Sequence, residues 1–167
     1  MMGIAAGFDK GANRIGQFGL AQQDPVHAAN VRFNAWQFRQ ILGRGVHGVL
    51  LCQAEAADAV RAFVESCRYP HHQGGVDPAI SSPIARMHGT PRGACDGGLG
   101  LGTRGRGSEA TAAPVWGISA EQYLERCDAW PLNPAGELML GVKLESPEGI
   151  ANCEAILEIR QVTSAGV

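Results

Sequence analysis

Leu138-Met139-Leu140-Gly141-Val142-Lys143-Leu144-Glu145-Ser146-Pro147 decides the fold. A short apolar run that meets a carboxylate and then a Ser-Pro pair marks the junction of a buried strand with a helix. Ser146 is suited to cap that helix, and Pro147 to its first position, where no backbone N–H is needed. The helix that follows is expected to carry Ile150, Cys153, Ile156 and Leu157 inward. Glu145 falls where strand gives way to helix. In parallel α/β folds active-site groups gather at the carboxyl ends of strands.

Working towards the N-terminus, Val46-His47-Gly48-Val49-Leu50-Leu51-Cys52 is a second compact apolar run, short enough for a buried strand. Helical spacing frames it on both sides. Val31, Ala35, Phe38 and Leu42 recur from Ala28 onward, with Gly43 as the stop; Ala56, Val60, Phe63, Val64 and Cys67 mark a helix that ends before Pro70. Helix, strand and helix in quick succession is the rhythm of a parallel α/β fold. Ser119 followed by Gln122 predicts a capping box opening a short helix that runs to about Cys127. The first two dozen residues show no period and are expected to be loop. So is the Gly- and Pro-rich stretch from Pro70 to Pro114, through which Arg86, Arg92, Arg104 and Arg106 are scattered. The count is two strands and four helices, too few strands for a self-sufficient sheet. The remainder is expected from elsewhere.

Composition narrows the function classes. The 167 residues are 45% hydrophobic and 18% charged, with a net charge of -2, which gives no reason to expect a nucleic acid or an anionic membrane surface as partner. No run approaches the roughly 20 apolar residues of a membrane helix, and no secretory signal is visible in the first residues. Five cysteines, Cys52, Cys67, Cys95, Cys127 and Cys153, contain no Cys-x-x-Cys pair. Buried thiols in a cytoplasmic protein are the expectation.

Several motifs carry less than their letters promise. Gly100-x-Gly102-x-x-Gly105 matches a dinucleotide fingerprint but lacks the strand before and the helix after that the chemistry requires. The tract Arg104-Gly105-Arg106-Gly107 has no interleaved aromatics and is expected to be a solvated loop. Adjacent His71 and His72 have no third ligand nearby and are expected on the surface. His47, near the amino end of its strand, reads as structural. Glu145 is the one carboxylate placed for a hard divalent cation, although on position alone capping of the following helix is the more ordinary explanation.

Taken together, several segments resemble the HpcH/HpaI aldolase and citrate lyase family. They are Asn34-Ala35-Trp36-Gln37-Phe38-Arg39-Gln40, Gly45 to Cys52, Ala59 to Glu65 running into Arg68-Tyr69-Pro70, Trp116-Gly117-Ile118-Ser119, Trp130-Pro131-Leu132-Asn133-Pro134, and Gly141 to Glu145 with Ala151-Asn152. The likeness covers about 34–159 apart from most of the loop 70–114, leaving 1–33 unassigned and 160–167 as an unrelated tail. It implies an α/β fold, part of a (β/α)₈ barrel, and a Mg²⁺ or Mn²⁺ ion that binds a 2-oxo acid such as pyruvate and stabilises the enolate formed when a carbon–carbon bond is cleaved or made. On this chain it implies that Glu145 is a metal ligand. It departs at Lys143, where the family commonly has Gln; a cation there would neutralise substrate charge or simply alternate outward. The family's second metal carboxylate is expected beyond the end of this chain, and its basic acid–base residues before Asn34, where His27 and Arg32 are no clear equivalents. Two expectations follow: a metal-dependent carbon–carbon lyase, or a catalytically inactive remnant that docks on a full-length homologue or on another copy of itself.

Overall fold

A computed structural model describes residues 6–7, 15–18, 28–77, 98–159 and 163–164. Its centre is β3 (Gly48–Leu51), buried at all four positions. A strand covered on both faces must be apolar throughout rather than alternating, and Gly-Val-Leu-Leu meets that condition. β3 pairs in parallel with β2 (Ile15–Phe18) on one side and with β5 (Leu138–Val142) on the other. The backbone of β1 (Ala6–Gly7) runs antiparallel to β2.

β5 has three partners. β4 (Ala129–Trp130) pairs with Leu138 and Met139, and β6 (Thr163–Ser164) pairs with Gly141 and Val142, both in parallel. Because β3 occupies one edge of β5, the two short strands share the other: β4 near its start, β6 near its end. The chain is therefore a mixed α/β protein with a parallel sheet at its heart. The loop expected over the first two dozen residues is corrected by β1 and β2, and the tail after Ile159 includes the paired β6. Both additions are short strands whose evidence is backbone pairing, a signal that residue periodicity does not carry.

Helices α1 (Ala28–Phe33) and α2 (Ala35–Leu42) follow β2, and α3 (Ala57–Cys67) follows β3. Their inward faces are the expected ones except at Ala56, which stands half-buried at the cap of α3 while Ala59 is buried within the helix. Ala35, Phe38 and Leu42 are buried on α2; Ala59, Val60, Phe63, Val64 and Cys67 are buried on α3, and the rings of Phe38 and Phe63 meet edge to face at 5.1 Å. The capping box of α5 (Ala120–Arg126) is present, Ser119 Oγ accepting from Gln122 N and Gln122 Oε1 accepting from Ser119 N.

The stretch from Pro70 to Pro114 departs from expectation. Residues 78–97 lie outside the described part, so that portion of the expected loop is untouched. From Gly98 the chain is laid against α3: Gly100 N donates to Glu65 Oε1, Thr103 N to the Glu65 carbonyl, and Arg104 N to the Arg68 carbonyl. At Glu109 it enters α4 (Glu109–Trp116), which contains Pro114 and ends on left-handed Gly117. That helix has no apolar stripe to betray it, since it buries only Ala112 and Ala113.

The helix after Glu145 begins as expected, with Ser146 Oγ accepting from Gly149 N. It then breaks at Asn152 into α6 (Pro147–Ala151) and α7 (Cys153–Leu157). Its inward face is also corrected. Ile156 is buried, but Ile150 and Leu157 are 52% and 44% exposed. Gly149 is the reason: it is buried so close to the Ala54 carbonyl that a Cβ would stand 2.7 Å from the oxygen. The inward line is thus Gly149, Cys153 and Ile156, at helical spacing.

Candidate functional site at the carboxyl ends of the strands

Beyond β3 and β5 the two chains stay in register for a few residues. Lys143 N donates to the Leu51 carbonyl at 2.9 Å and Ala54 N to the Lys143 carbonyl at 3.2 Å. This brings Cys52 and Gln53, from one strand end, beside Lys143 and Glu145 from the other. Two residues apart along an extended backbone, Lys143 and Glu145 point to the same side, and Lys143 Nζ lies 2.5 Å from Glu145 Oε1. The second carboxylate oxygen, Oε2, accepts from Gln53 N at 3.3 Å. Gln53 has φ of 55°, a left-handed conformation uncommon for a residue with a side chain. One turn into the helical segment, Asn152 Nδ2 donates to the Glu55 carbonyl at 2.8 Å and ties the helix back to the same loop.

The electrostatics suit charge pairing more than nucleophilic attack. The hydrogen bond and charge of Glu145 raise the Lys143 pKa, so its nitrogen stays an ammonium. Partial burial, and then the neighbouring Glu145 carboxylate, push the Cys52 thiol up, against a smaller opposing effect of Lys143. A protonated thiol is a weak nucleophile.

The sequence singles out Glu145 and Lys143, and both stand together at this rim. As a divalent-cation site the rim does not fit by itself. A hard cation takes about six oxygen ligands, whereas Glu145 is the one carboxylate at the rim in this hydrogen-bonded set and both its oxygens are engaged by nitrogen donors. Among the described residues no cluster of three His, Cys, Asp or Glu side chains is arranged to hold a metal.

A second polar cluster was not legible in the sequence. It lies at the opposite end of the sheet, because Asp128 immediately precedes β4 while Glu145 follows β5, and the two strands are parallel. Arg68, just past α3, donates from Nε to Asp128 Oδ1 at 2.6 Å and from Nη2 to Oδ2 at 3.0 Å. His72 is buried beside them, its Nε2 2.9 Å from the Leu124 carbonyl and its Nδ1 3.3 Å from Asp128 Oδ1. The expected surface position is therefore wrong for His72, although His71 is exposed. Burial alone would raise the Asp128 carboxyl; the neighbouring His72 ring, with the hydrogen bonds and charge of Arg68, overcomes it and holds the group well below the carboxylate range.

Arg104, expected in solvent, is fully buried. Its guanidinium carbon stands 4.5 Å from the Tyr69 ring centroid and 5.5 Å from that of Tyr123, within cation–π range. Nη1 donates to Cys127 Sγ and Nη2 to Tyr123 Oη, each at 3.0 Å. The Arg-Tyr pair at 68–69 thus serves two anchors in succession. Arg106, by contrast, is exposed as expected. At this same amino end His47 stacks on Trp116, ring centroids 4.3 Å apart.

Comparison with known protein families, characterised proteins and solved structures finds no match to this chain. The resemblance to the HpcH/HpaI aldolase and citrate lyase family accordingly rests on the quoted segments alone. No helix among the described residues is long and apolar enough to cross a membrane.

Proposed function

We propose that this chain is an arc of a (β/α)₈ barrel of the carbon–carbon lyase kind, one that handles a 2-oxo acid such as pyruvate at the carboxyl rim of its strands with Mg²⁺ or Mn²⁺. The observation that supports this reading is the position of Glu145, at the end of a central parallel strand and hydrogen-bonded by the backbone of the neighbouring strand's end. β2, β3 and β5 lie side by side in parallel and are joined through helices, as strands of a barrel arc are, while the two-residue β4, which precedes β5 in the chain, pairs on the far side of β5. In such enzymes the cation supplies Lewis-acid stabilisation of an enolate. In this chain Glu145 would contribute one carboxylate to holding that cation, and the Lys143 ammonium would offer a charge partner for a substrate carboxylate. A second carboxylate is not among the described residues of this rim, and the reading requires one supplied to it.

A second reading is favoured by the Lys143–Glu145 contact itself. An ammonium already paired with the carboxylate at 2.5 Å is what a catalytically inactive relative would show, one that persists by docking on a full-length homologue or a second copy. Mn²⁺ calorimetry on three proteins tests the first reading: the chain, the chain extended by a family-type segment bearing an Asp in a Gly-Pro-x-Asp context, and the extended chain with Glu145→Gln. The lyase reading expects weak binding by the chain, tighter binding on extension, and loss of that gain with Glu145→Gln. Extension without gain, or a gain that survives Glu145→Gln, rejects it.

A further inference from the structure

At the amino end of the sheet, away from Glu145, an open groove of about 830 Å³ runs between the turn after α2 and the segment leading into α4. Its two walls are tied together, Thr111 Oγ1 donating to the Gly43 carbonyl at 3.1 Å. Arg39, Arg44 and Arg106 line it together with Ser108, and among the described residues no carboxylate does. Arg39 and Arg44 have no ion pair among the described residues. Arg106 Nε lies 3.6 Å from Glu109 Oε1, a looser contact, and the other oxygen of that carboxylate accepts from Gly107 N.

Beneath the groove is a charge that makes no ion pair among the described residues. Arg104 is wholly buried, its Nε has no hydrogen-bond partner, and its Nη2 is 3.5 Å from the Oγ of the groove residue Ser108. The groups it touches are phenols and a thiol, whose buried sites favour their neutral forms; the Glu109 carboxylate feels its charge but makes no ion pair with it. A cation in a low-dielectric interior projects its field further than one in water. Arg104 therefore adds to three surface guanidiniums that face one concavity.

We propose that this groove binds a small ligand carrying a phosphomonoester or pyrophosphate group. Spaced guanidinium forks match the several oxygens of phosphate better than a single carboxylate, and the volume is that of a small-molecule site. A polynucleotide fits less well, because the chain as a whole carries a net charge of -2. This inference is independent of the chemistry at Glu145.

Inorganic pyrophosphate is the probe, titrated calorimetrically into the full chain at about 0.15 M ionic strength, where weak surface attraction is screened. Saturable one-to-one binding is expected. Arg39→Gln with Arg44→Gln should weaken it by roughly tenfold or more through loss of charge-assisted hydrogen bonds, with circular dichroism unchanged because both side chains are exposed. Arg126→Gln, which removes a positive charge outside the groove, should leave binding unaltered. No saturable heat at millimolar pyrophosphate, or equal affinity in the double variant, overturns the site. Tighter binding of a single-stranded oligonucleotide than of pyrophosphate overturns the small-ligand assignment.

Discussion

Arg68 and Asp128, separated by 60 positions, meet through two parallel hydrogen bonds of 2.6 and 3.0 Å, with both side chains 1% exposed. This pair clamps the end of α3 to the start of β4, and Arg68 Nη1 also donates to the Gly74 carbonyl at 2.9 Å. Removing one partner would leave the other charged and buried. Asp128→Ala is expected to cost about 3–5 kcal/mol, the usual consequence of an orphaned buried charge, read from urea unfolding. A loss under about 1 kcal/mol, typical of surface pairs, would show that water reaches the pair.

The same carboxylate sets an acid limit on stability. Its folded pKa is depressed below the carboxylate range, so the folded state binds its proton less readily than the unfolded chain does. Stability from Asp128 is therefore complete well above the unfolded value near pH 4, begins to fade at about pH 5 and is lost as pH falls towards the folded value. The stability gap between the native protein and Asp128→Asn should narrow on acidification from neutral pH. A gap that stays constant down to acid unfolding would contradict the depressed pKa.

The two tyrosines of the chain, Tyr69 and Tyr123, both flank Arg104, so phenolate absorbance reports on this cluster alone. Burial pushes Tyr69 up to about 12 against the opposing charge of Arg104, and pushes Tyr123 up further. A raised folded pKa adds stability that is complete below the unfolded value near pH 10 and is lost as pH rises through the folded one. Alkaline titration should show phenolate only as the protein unfolds. Reversible ionisation near pH 10 in the folded protein would place these rings in solvent.

What the sequence conveyed, and what it did not, follows from where each signal resides. The buried face of α3 and the Ser119–Gln122 box are local patterns, so they are legible residue by residue. Lys143 and Glu145 are legible as candidate residues at a strand end, but their contact with each other is not read there; it follows from extended backbone, which puts alternate residues on one side. α4 is not: Pro114 and its glycine neighbours read as loop, and Ala112 and Ala113 are too small to mark a stripe. Arg104 looks solvated among glycines, yet two of those before it, Gly100 and Gly102, are what let the backbone come close to α3 and the residues that follow it. Arg68, His72 and Asp128 acquire their roles only when segments far apart in sequence meet.

Gly102 tests that last point. A Cβ there would stand 2.4 Å from the Arg68 carbonyl oxygen and 2.6 Å from that of Tyr69, whereas at Gly105 it would meet nothing within 4 Å. Gly102→Ala must push backbone apart and is expected to cost about 1–3 kcal/mol or more; Gly105→Ala should lie within about 0.5 kcal/mol of the native protein. Thermal melts of the two variants give the comparison. Equal melting temperatures would mean that the segment 98–108 does not pack on α3. The outcome also bears on the Gly-x-Gly-x-x-Gly letters, whose middle glycine is explained here by packing.

The last prediction concerns Lys143. Its ammonium and the Gln53 amide between them hold both oxygens of Glu145, so an added divalent cation must displace a positive charge to reach the carboxylate. Lys143→Gln removes that competitor, and Lys143→Glu replaces it with a second carboxylate on the same side of the chain, two oxygen donors where one stood. Mn²⁺ affinity should rise in the order native, Lys143→Gln, Lys143→Glu, by roughly tenfold or more across the series, since each carboxylate added to an oxygen site strengthens its hold on a hard cation. The gain should vanish when Glu145→Gln is added to Lys143→Glu, because one carboxylate is again left alone. Both residues are at the surface, so folding should survive, as circular dichroism would show. Affinity that does not change along the series would remove Glu145 from any role as a metal ligand and leave the strand-end pair as a local ion pair alone.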